Sequence, residues 1–287
     1  MPIALPSSQL LDLSGADALR FAHAQFANDV LALKPGHWQW NAWLSAQGRV
    51  RYFFALLRPA EERLLLWLRG GTAQALQTEL ARFVFRAKVA PRVVDELHAT
   101  GCDEAEIFTA LGTCPDGDTL LAAGDGALAL RLPYGARWLL LGARPAMPHD
   151  DAAAAQWQLD DIHAGLPQLE AALQEELLPQ WLGLERFKAF SVSKGCYPGQ
   201  EVMARLHFKG GNKRALYRIA CSCEQLPAAG ARLESDGGEA GIVVNAVLTT
   251  PHRAEALAVL SEASAHARLT AGVAGTLYDI QVISRFT

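Results

Sequence analysis

Lys194, Cys196, Gln200, Glu201 and Arg205 fall within twelve consecutive positions, setting an amine, a thiol, an amide, a carboxylate and a guanidinium side by side. Such a set can supply a nucleophile or soft metal ligand, a paired hydrogen-bond acceptor and two cations. Gly195 precedes the thiol and Gly199 follows it, with Tyr197 and Pro198 between. Proline has a helical φ and lacks the backbone donor that a first helical turn leaves unpaired, so Pro198 suits the first position of a helix. Val202, Met203 and Leu206 then recur at helical spacing as one apolar stripe. On this reading Cys196 stands just ahead of a helix N-terminus, where free N–H groups and the macrodipole favour a thiolate, with Lys194 as a further cation nearby. The bland alternative is a turn shaped by glycine and proline around a small buried thiol. It leaves so dense a polar cluster unexplained.

The rest of the composition narrows the setting. A chain of 287 residues can hold two domains, or one large domain with an appendage. Hydrophobic residues make up 51% and charged residues 20%, an ordinary soluble balance. A net charge of −4 gives no general attraction to nucleic acid or to an acidic membrane surface. The apolar runs 64–68 and 139–141 are too short to span a bilayer, and the first residues lack the basic start and long apolar core of a signal peptide, so a cytoplasmic location is expected. Five cysteines, an odd number scattered along the chain, do not form a disulfide framework. Cys221 and Cys223 would point the same way on a strand with no second pair to complete a zinc site, so they read as ordinary strand residues. Cys102 and Cys114 show no ligand spacing, and no metal centre is expected.

Several elements must position the cluster. Ser14 and Asp17 give a capping-box-like start to a first helix whose stripe is Leu19, Ala22, Phe26 and Val30. Trp38, Trp40 and Leu44 alternate as a strand, Ser45 to Gly48 turn, and 50–57 returns. Trp38, Trp40 and Trp43 suit a flat ligand and a packed core equally. A strand over 63–68, a helix over 72–85 and a strand over 89–94 follow. Between 97 and 125 the pattern is weak, broken by Gly112, Pro115, Gly117 and Gly124. Paired strands over 127–132 and 137–141 precede a helix over 150–162. Beyond residues 209–214 the chain changes to short strands and turns, over 215–221, 241–248, 256–261 and 276–284, the pattern of a small antiparallel barrel or sandwich.

The run Lys194-Gly195-Cys196-Tyr197-Pro198-Gly199-Gln200-Glu201, with the Ala204-Arg205 pair after it, resembles the signature of the YgfZ-type folate-binding proteins. These are related to the glycine-cleavage T-protein and linked to iron–sulfur cluster maintenance and tRNA modification. Gln25-Phe26-Ala27-Asn28-Asp29-Val30 resembles a second family segment, with Ala27 where threonine is usual. Leu44 to Val50 resembles a third, and the segment from Trp157 to Pro167 a fourth, so the likeness covers most of the chain. It implies an α+β fold: a T-protein-like (aminomethyltransferase folate-binding) body over 1–208, with a C-terminal antiparallel β-barrel over 209–287. The body would be two intertwined lobes, roughly 1–48 with 125–208, and 49–124.

The implied function is a tetrahydrofolate-binding accessory protein that supports iron–sulfur cluster assembly or repair, and through it tRNA-thiolating enzymes. The ligand would be tetrahydrofolate or a one-carbon derivative. Partners would be iron–sulfur proteins or their assembly machinery, without direct nucleic-acid binding or membrane attachment. Trp157 would offer a stacking face. Tyr197, Gly199, Gln200 and Glu201 would line the ligand, with Glu201 taking two parallel hydrogen bonds from the pterin. Arg205 or Lys213 would meet the glutamate tail. Cys196, with Lys194, would be the reactive group. One cysteine cannot hold a cluster that takes four ligands, so other ligands would come from a partner, a second copy or small thiols, whereas a redox role needs one thiolate. Two other classes compete. One is a T-protein-like aminomethyltransferase, with Asp29 or Asp160 as a loosely assigned carboxylate. The other is a cysteine-nucleophile enzyme, for which no histidine constellation is visible. Brief iodoacetamide treatment near neutral pH should label Cys196 ahead of the other four cysteines. Peptide mapping that finds Cys221 or Cys223 labelled first would refute the activated-thiol reading.

Overall fold

The computed structural model describes residues 2–123, 126–143, 150–273 and 276–286; Gly124, one of the expected turn markers, and the expected lobe boundary at 124–125 lie outside the described residues. The chain opens with β1 (Ile3–Ala4), β2 (Gln9–Ser14) and α1 (Ala18–Gln25). Ser14 does not cap α1. Its backbone is committed to the ladder opposite Arg63, and its hydroxyl donates to Asp12. The Asp17 carboxylate accepts the Lys88 N–H at 2.8 Å, so the helix starts later than the sequence pattern predicts.

Next come β3 (His37–Leu44), β4 (Val50–Ala60), β5 (Arg63–Leu68), α2 (Ala73–Ala81) and β6 (Ala90–Val93). The Thr72 hydroxyl caps α2 by accepting the Ala75 N–H at 3.2 Å. The helix stops short of the expected 85, and Phe83 turns edge-on against Trp43 at 5.8 Å. Five strands form one sheet in the order β3-β4-β5-β2-β6. Both of its faces are covered, which is why 53–57 and 64–68 read as unbroken apolar runs rather than alternating ones. Phe21, Ala22, Leu76 and Leu80, from α1 and α2, share a core with Trp43, Tyr52 and Phe54. Trp40 stacks on Phe53 at 5.0 Å and lies 6.3 Å from Trp67. Trp38, Trp40 and Trp43 are therefore core residues.

The weakly patterned region contains β7 (His98–Cys102) and α3 (Glu104–Leu111), followed by β8 (Leu121–Ala122), β9 (Leu128–Arg131) and β10 (Trp138–Gly142). These strands make a second, antiparallel sheet in the order β1-β7-β10-β9-β8. The sequence reading missed α3, although its start carries a reciprocal capping box between Asp103 and Glu106. Only Ile107 of this helix is buried, so it shows little apolar periodicity.

Then come α4 (Asp151–Ala164), α5 (Gln200–Lys209) and six strands: β11 (Arg214–Cys221), β12 (Arg232–Ser235), β13 (Gly238–Thr250), β14 (Arg253–Ser261), β15 (Leu269–Val273) and β16 (Thr276–Arg285). The six close into an antiparallel barrel, β11-β14-β13-β12-β15-β16, around Leu233, Val243, Ala258, Leu260, Leu269 and Ile280. Closure leaves no free sheet edge. The short β12 and β15 were not anticipated. By contact density the chain divides into two compact units, Met1–Leu44 with Tyr52–Ala154 and Lys188–Pro198, and Ser45–Arg51 with Ala155–Phe187 and Gly199–Thr287. Among the described residues no helix is long and apolar enough to cross a membrane.

Inside the barrel, Gly241 sits so close to β14 that a Cβ there would lie 2.2 Å from the Val259 carbonyl oxygen. Gly241→Ala should therefore lower unfolding free energy by about 1–3 kcal/mol in urea denaturation, the usual penalty for overpacking. An unchanged midpoint would mean that the strands part without cost.

Candidate functional site

The first half of the cysteine motif is built on the end of α1. The last carbonyls of a helix have no intrahelical partner. Here Lys194 supplies one: its Nζ donates to the carbonyl oxygens of His23 and Phe26, and to that of Asn28 at 3.0 Å. The side chain is buried, and the Tyr197 ring centroid lies 4.9 Å from the ammonium. The Tyr197 hydroxyl donates to the Ser191 carbonyl at 2.9 Å, and burial pushes its pKa up to about 12.

Asn28 fastens the same region from the other side. Its backbone N–H donates to Asn41 Oδ1 at 2.9 Å, and its amide donates to the carbonyls of Trp40 at 3.0 Å and Lys188 at 2.7 Å. The Ser191 N–H meets the Ala27 carbonyl at 2.9 Å. The segments 25–30 and 188–198 are thus stitched together, and Cys196 stands exposed on the second of them. Burial lowers Lys194 to about 8, with Asp29 pulling it partly back. His23 is lowered too, first by burial and then by the Lys194 charge, with Asp29 opposing from 3.3 Å. Asp29 is therefore a counter-charge to this cluster.

The second half of the motif starts α5. Its N-cap is Gly199, in the left-handed region at φ 80°, so Pro198 lies outside the helix rather than at its first position. A Cβ on Gly199 would fall 2.5 Å from the Ser45 carbonyl oxygen and 2.7 Å from Gly48 Cα, and one on Gly48 would fall 2.9 Å from Val202 Cβ. Two glycines face each other, letting the 45–48 turn lie directly against the helix start. Cys196 consequently precedes the first residue of α5 by four positions rather than standing immediately ahead of it. Met203 is the one stripe residue fully buried, and Gln180 donates to its carbonyl at 3.3 Å. Glu201 is exposed in the first turn, where the helix dipole favours a carboxylate, and Arg205 is exposed one turn later on the same face. Gln200 is half-buried beside them.

Trp157 lies on α4 and is only 4% exposed, so its indole is covered by protein. One turn on, Asp161 is 3% exposed. With Gln158, Gln168, Glu170 and Asn245 it lines a cleft of about 340 Å³ walled on its apolar side by Leu226 and Pro227. The sequence reading selected neither Asp161 nor this cleft; the available signal was a carboxylate four residues after Trp157 on one helix face. Among the described residues no group of three or more His, Cys, Asp or Glu side chains is disposed to hold a metal ion. The structure thus brings Lys194 against Tyr197, and aligns Gly199, Gln200, Glu201 and Arg205 along one helix.

No family model matches the chain. Its sequence is 30% identical over 251 residues, 83% of its length and 75% of the relative's, to the tRNA-modifying protein YgfZ of Pectobacterium carotovorum subsp. carotovorum (strain PC1). Its fold is similar to that of the glycine cleavage system aminomethyltransferase T from Bartonella henselae, with a TM-score of 0.69 over 99% of this chain and 84% of that one. At 17% identity this likeness is one of fold. The chain has the T-protein-like architecture, with its C-terminal antiparallel barrel.

Lys194 titrates near 8 when folded, against an ordinary 10.5. The unfolded chain therefore holds this proton more tightly across that interval. The cost of burying the charge is fully present below pH 8 and is relieved as pH rises towards 10.5. Urea denaturation across this range should show the native protein gaining stability relative to a Lys194→Met variant. Parallel curves would mean that Lys194 titrates as an ordinary surface lysine.

Proposed function

Since the chain belongs to the YgfZ family, we propose that it is a tetrahydrofolate-binding accessory protein supporting iron–sulfur cluster assembly or repair, and thereby tRNA-modifying enzymes that depend on such clusters. The observation that carries this reading is the 30% identity to a tRNA-modifying protein over 83% of the chain, together with the complete cysteine motif. The residues present fit a folate. The exposed Glu201 carboxylate can accept two parallel N–H donors. Arg205, one turn along, carries the charge a glutamate tail needs. The cleft of about 340 Å³ beside α4 falls in the size range of small-molecule sites, and its Asp161 and Glu170 carboxylates suit an amino-substituted ring. Gly199 and Gln200 lead into the first turn that carries Glu201.

Cys196, exposed and held between buried Lys194 and Tyr197, is the reactive thiol in this proposal. Lys194 acts through the loop it anchors, because its Nζ is occupied by three carbonyls. Tetrahydrofolate added to the protein should quench tryptophan fluorescence saturably. Trp157→Ala should weaken binding through lost packing within α4's surroundings rather than through a lost stacking face, because its indole is covered by protein. Because Trp157 is buried, Glu201→Gln serves as a second variant that leaves the core intact. Calorimetry detecting no saturable binding of any reduced folate would overturn the ligand assignment. A second reading, aminomethyl transfer, draws on the fold likeness to aminomethyltransferase T. It expects methylene transfer that survives Cys196→Ser, whereas the accessory role expects that substitution to impair iron–sulfur-dependent enzymes in cells while leaving folate affinity unchanged.

A further inference from the structure

A pair of thiols lies at the end of the barrel, away in sequence from the cysteine motif. On a regular strand, residues two apart are separated by about 6.6 Å of rise, too far for a disulfide, whose Cβ atoms stand about 3.5–4.5 Å apart. Cys221 and Cys223 escape that limit because the ladder stops between them. Cys221 is the last residue of β11, paired with Ala254 on one side and Ile280 on the other, and Cys223 lies past the strand end. The chain bends there, bringing the two Sγ atoms to 2.8 Å with both side chains in the barrel core. That is within about 1 Å of a covalent S–S bond. Beside them is a cleft of about 240 Å³ whose lining includes Cys221, Ser222, Arg253, Asp279 and Gln281. No third ligating side chain joins the pair among the described residues, so its chemistry is that of two thiols and not of a metal site.

We propose that Cys221 and Cys223 form a reversible dithiol–disulfide couple that exchanges with low-molecular-weight disulfides of the glutathione type. Cys221, which lines the cleft, gives up its proton and attacks one sulfur of the small disulfide. The small S–S bond breaks, releasing one small thiolate that takes up a proton and leaving a mixed disulfide on Cys221. Cys223 then loses its proton and attacks Cys221 Sγ, expelling the second small thiolate. Two protein thiols are oxidised to one disulfide, and one small disulfide is reduced to two thiols. Burial, and next the hydrogen bond between the two sulfurs, raise the Cys221 pKa, so Cys221 rests as a thiol until exchange occurs.

Trypsin cuts after Arg218 and Arg232, isolating both residues on one peptide, 219–232, with no other cysteine. The folded protein is incubated with oxidised glutathione, then denatured and alkylated. This peptide should lose two hydrogen masses, refuse the alkylating agent, and recover two alkylation sites after dithiothreitol. Cys223→Ser should stop at the first step, with one glutathione retained on Cys221. Two fully alkylated thiols in the native protein after oxidation, or a cross-link from either residue to Cys196, would overturn the proposal. The native-protein measurement decides it even if the variant fails to fold.

Discussion

One buried ammonium gathers the end of a helix and a loop more than a hundred and sixty residues further along the chain. A charge taken out of water costs several kcal/mol unless hydrogen bonds replace its hydration. Here three carbonyl oxygens of 23–28 do so, backed by the Tyr197 ring and the Asp29 carboxylate. The His23 carbonyl gains in turn, because the last turn of α1 leaves its carbonyls without an intrahelical partner. The arrangement has a consequence for Cys196. Its neighbour two positions before, Lys194, and the next residue, Tyr197, are both buried, which leaves Gly195 and Cys196 at the surface between two fixed points. Exposure of the thiol is thus a product of the anchors, and a loop without them could turn it inward as readily as any small apolar side chain.

The start of α5 depends on an opposite device, the absence of side chains. Gly199 and Gly48 each occupy the left-handed region; a Cβ on Gly199 would overlap the backbone of the 45–48 turn, and one on Gly48 would overlap the Val202 side chain. The helix that carries Glu201 and Arg205 is placed by this contact, and its exposed polar face follows from having only Met203 fully buried. The division between the two compact units falls within the motif, between Pro198 and Gly199.

The barrel holds its own sulfur chemistry by a third route, strand termination. A ladder that continued through Ser222 would have kept Cys221 and Cys223 two pleats apart. The cysteines of this chain thus differ in kind: Cys196 is exposed, Cys102 is buried with its thiol raised to about 12 by desolvation, and Cys221 and Cys223 face each other.

Much of the molecule was legible along the chain. Apolar runs at 53–57 and 64–68 marked strands because those strands are covered on both faces, and the helix over 73–81 had both its threonine cap and its stripe. The eight-residue motif and the segments at 25–30, 44–50 and 157–167 marked the family; within them Lys194 and Asn28 bind backbone carbonyls, and Gly48 and Gly199 permit a close approach. What the chain alone left open were the contacts themselves. Nothing local in Lys194 says that its partner is a helix end at residue 26. Nothing in Pro198 says that Gly199 will take the N-cap, since that choice is made by the approach of Gly48. Helix α3 was hidden because it buries one residue, and Asp161 because a buried carboxylate reads as a surface one until the cleft beside it is seen. Residue types and spacing determined which groups this protein carries; tertiary packing decided which of them are desolvated, paired or exposed, because those states depend on neighbours that are remote in sequence.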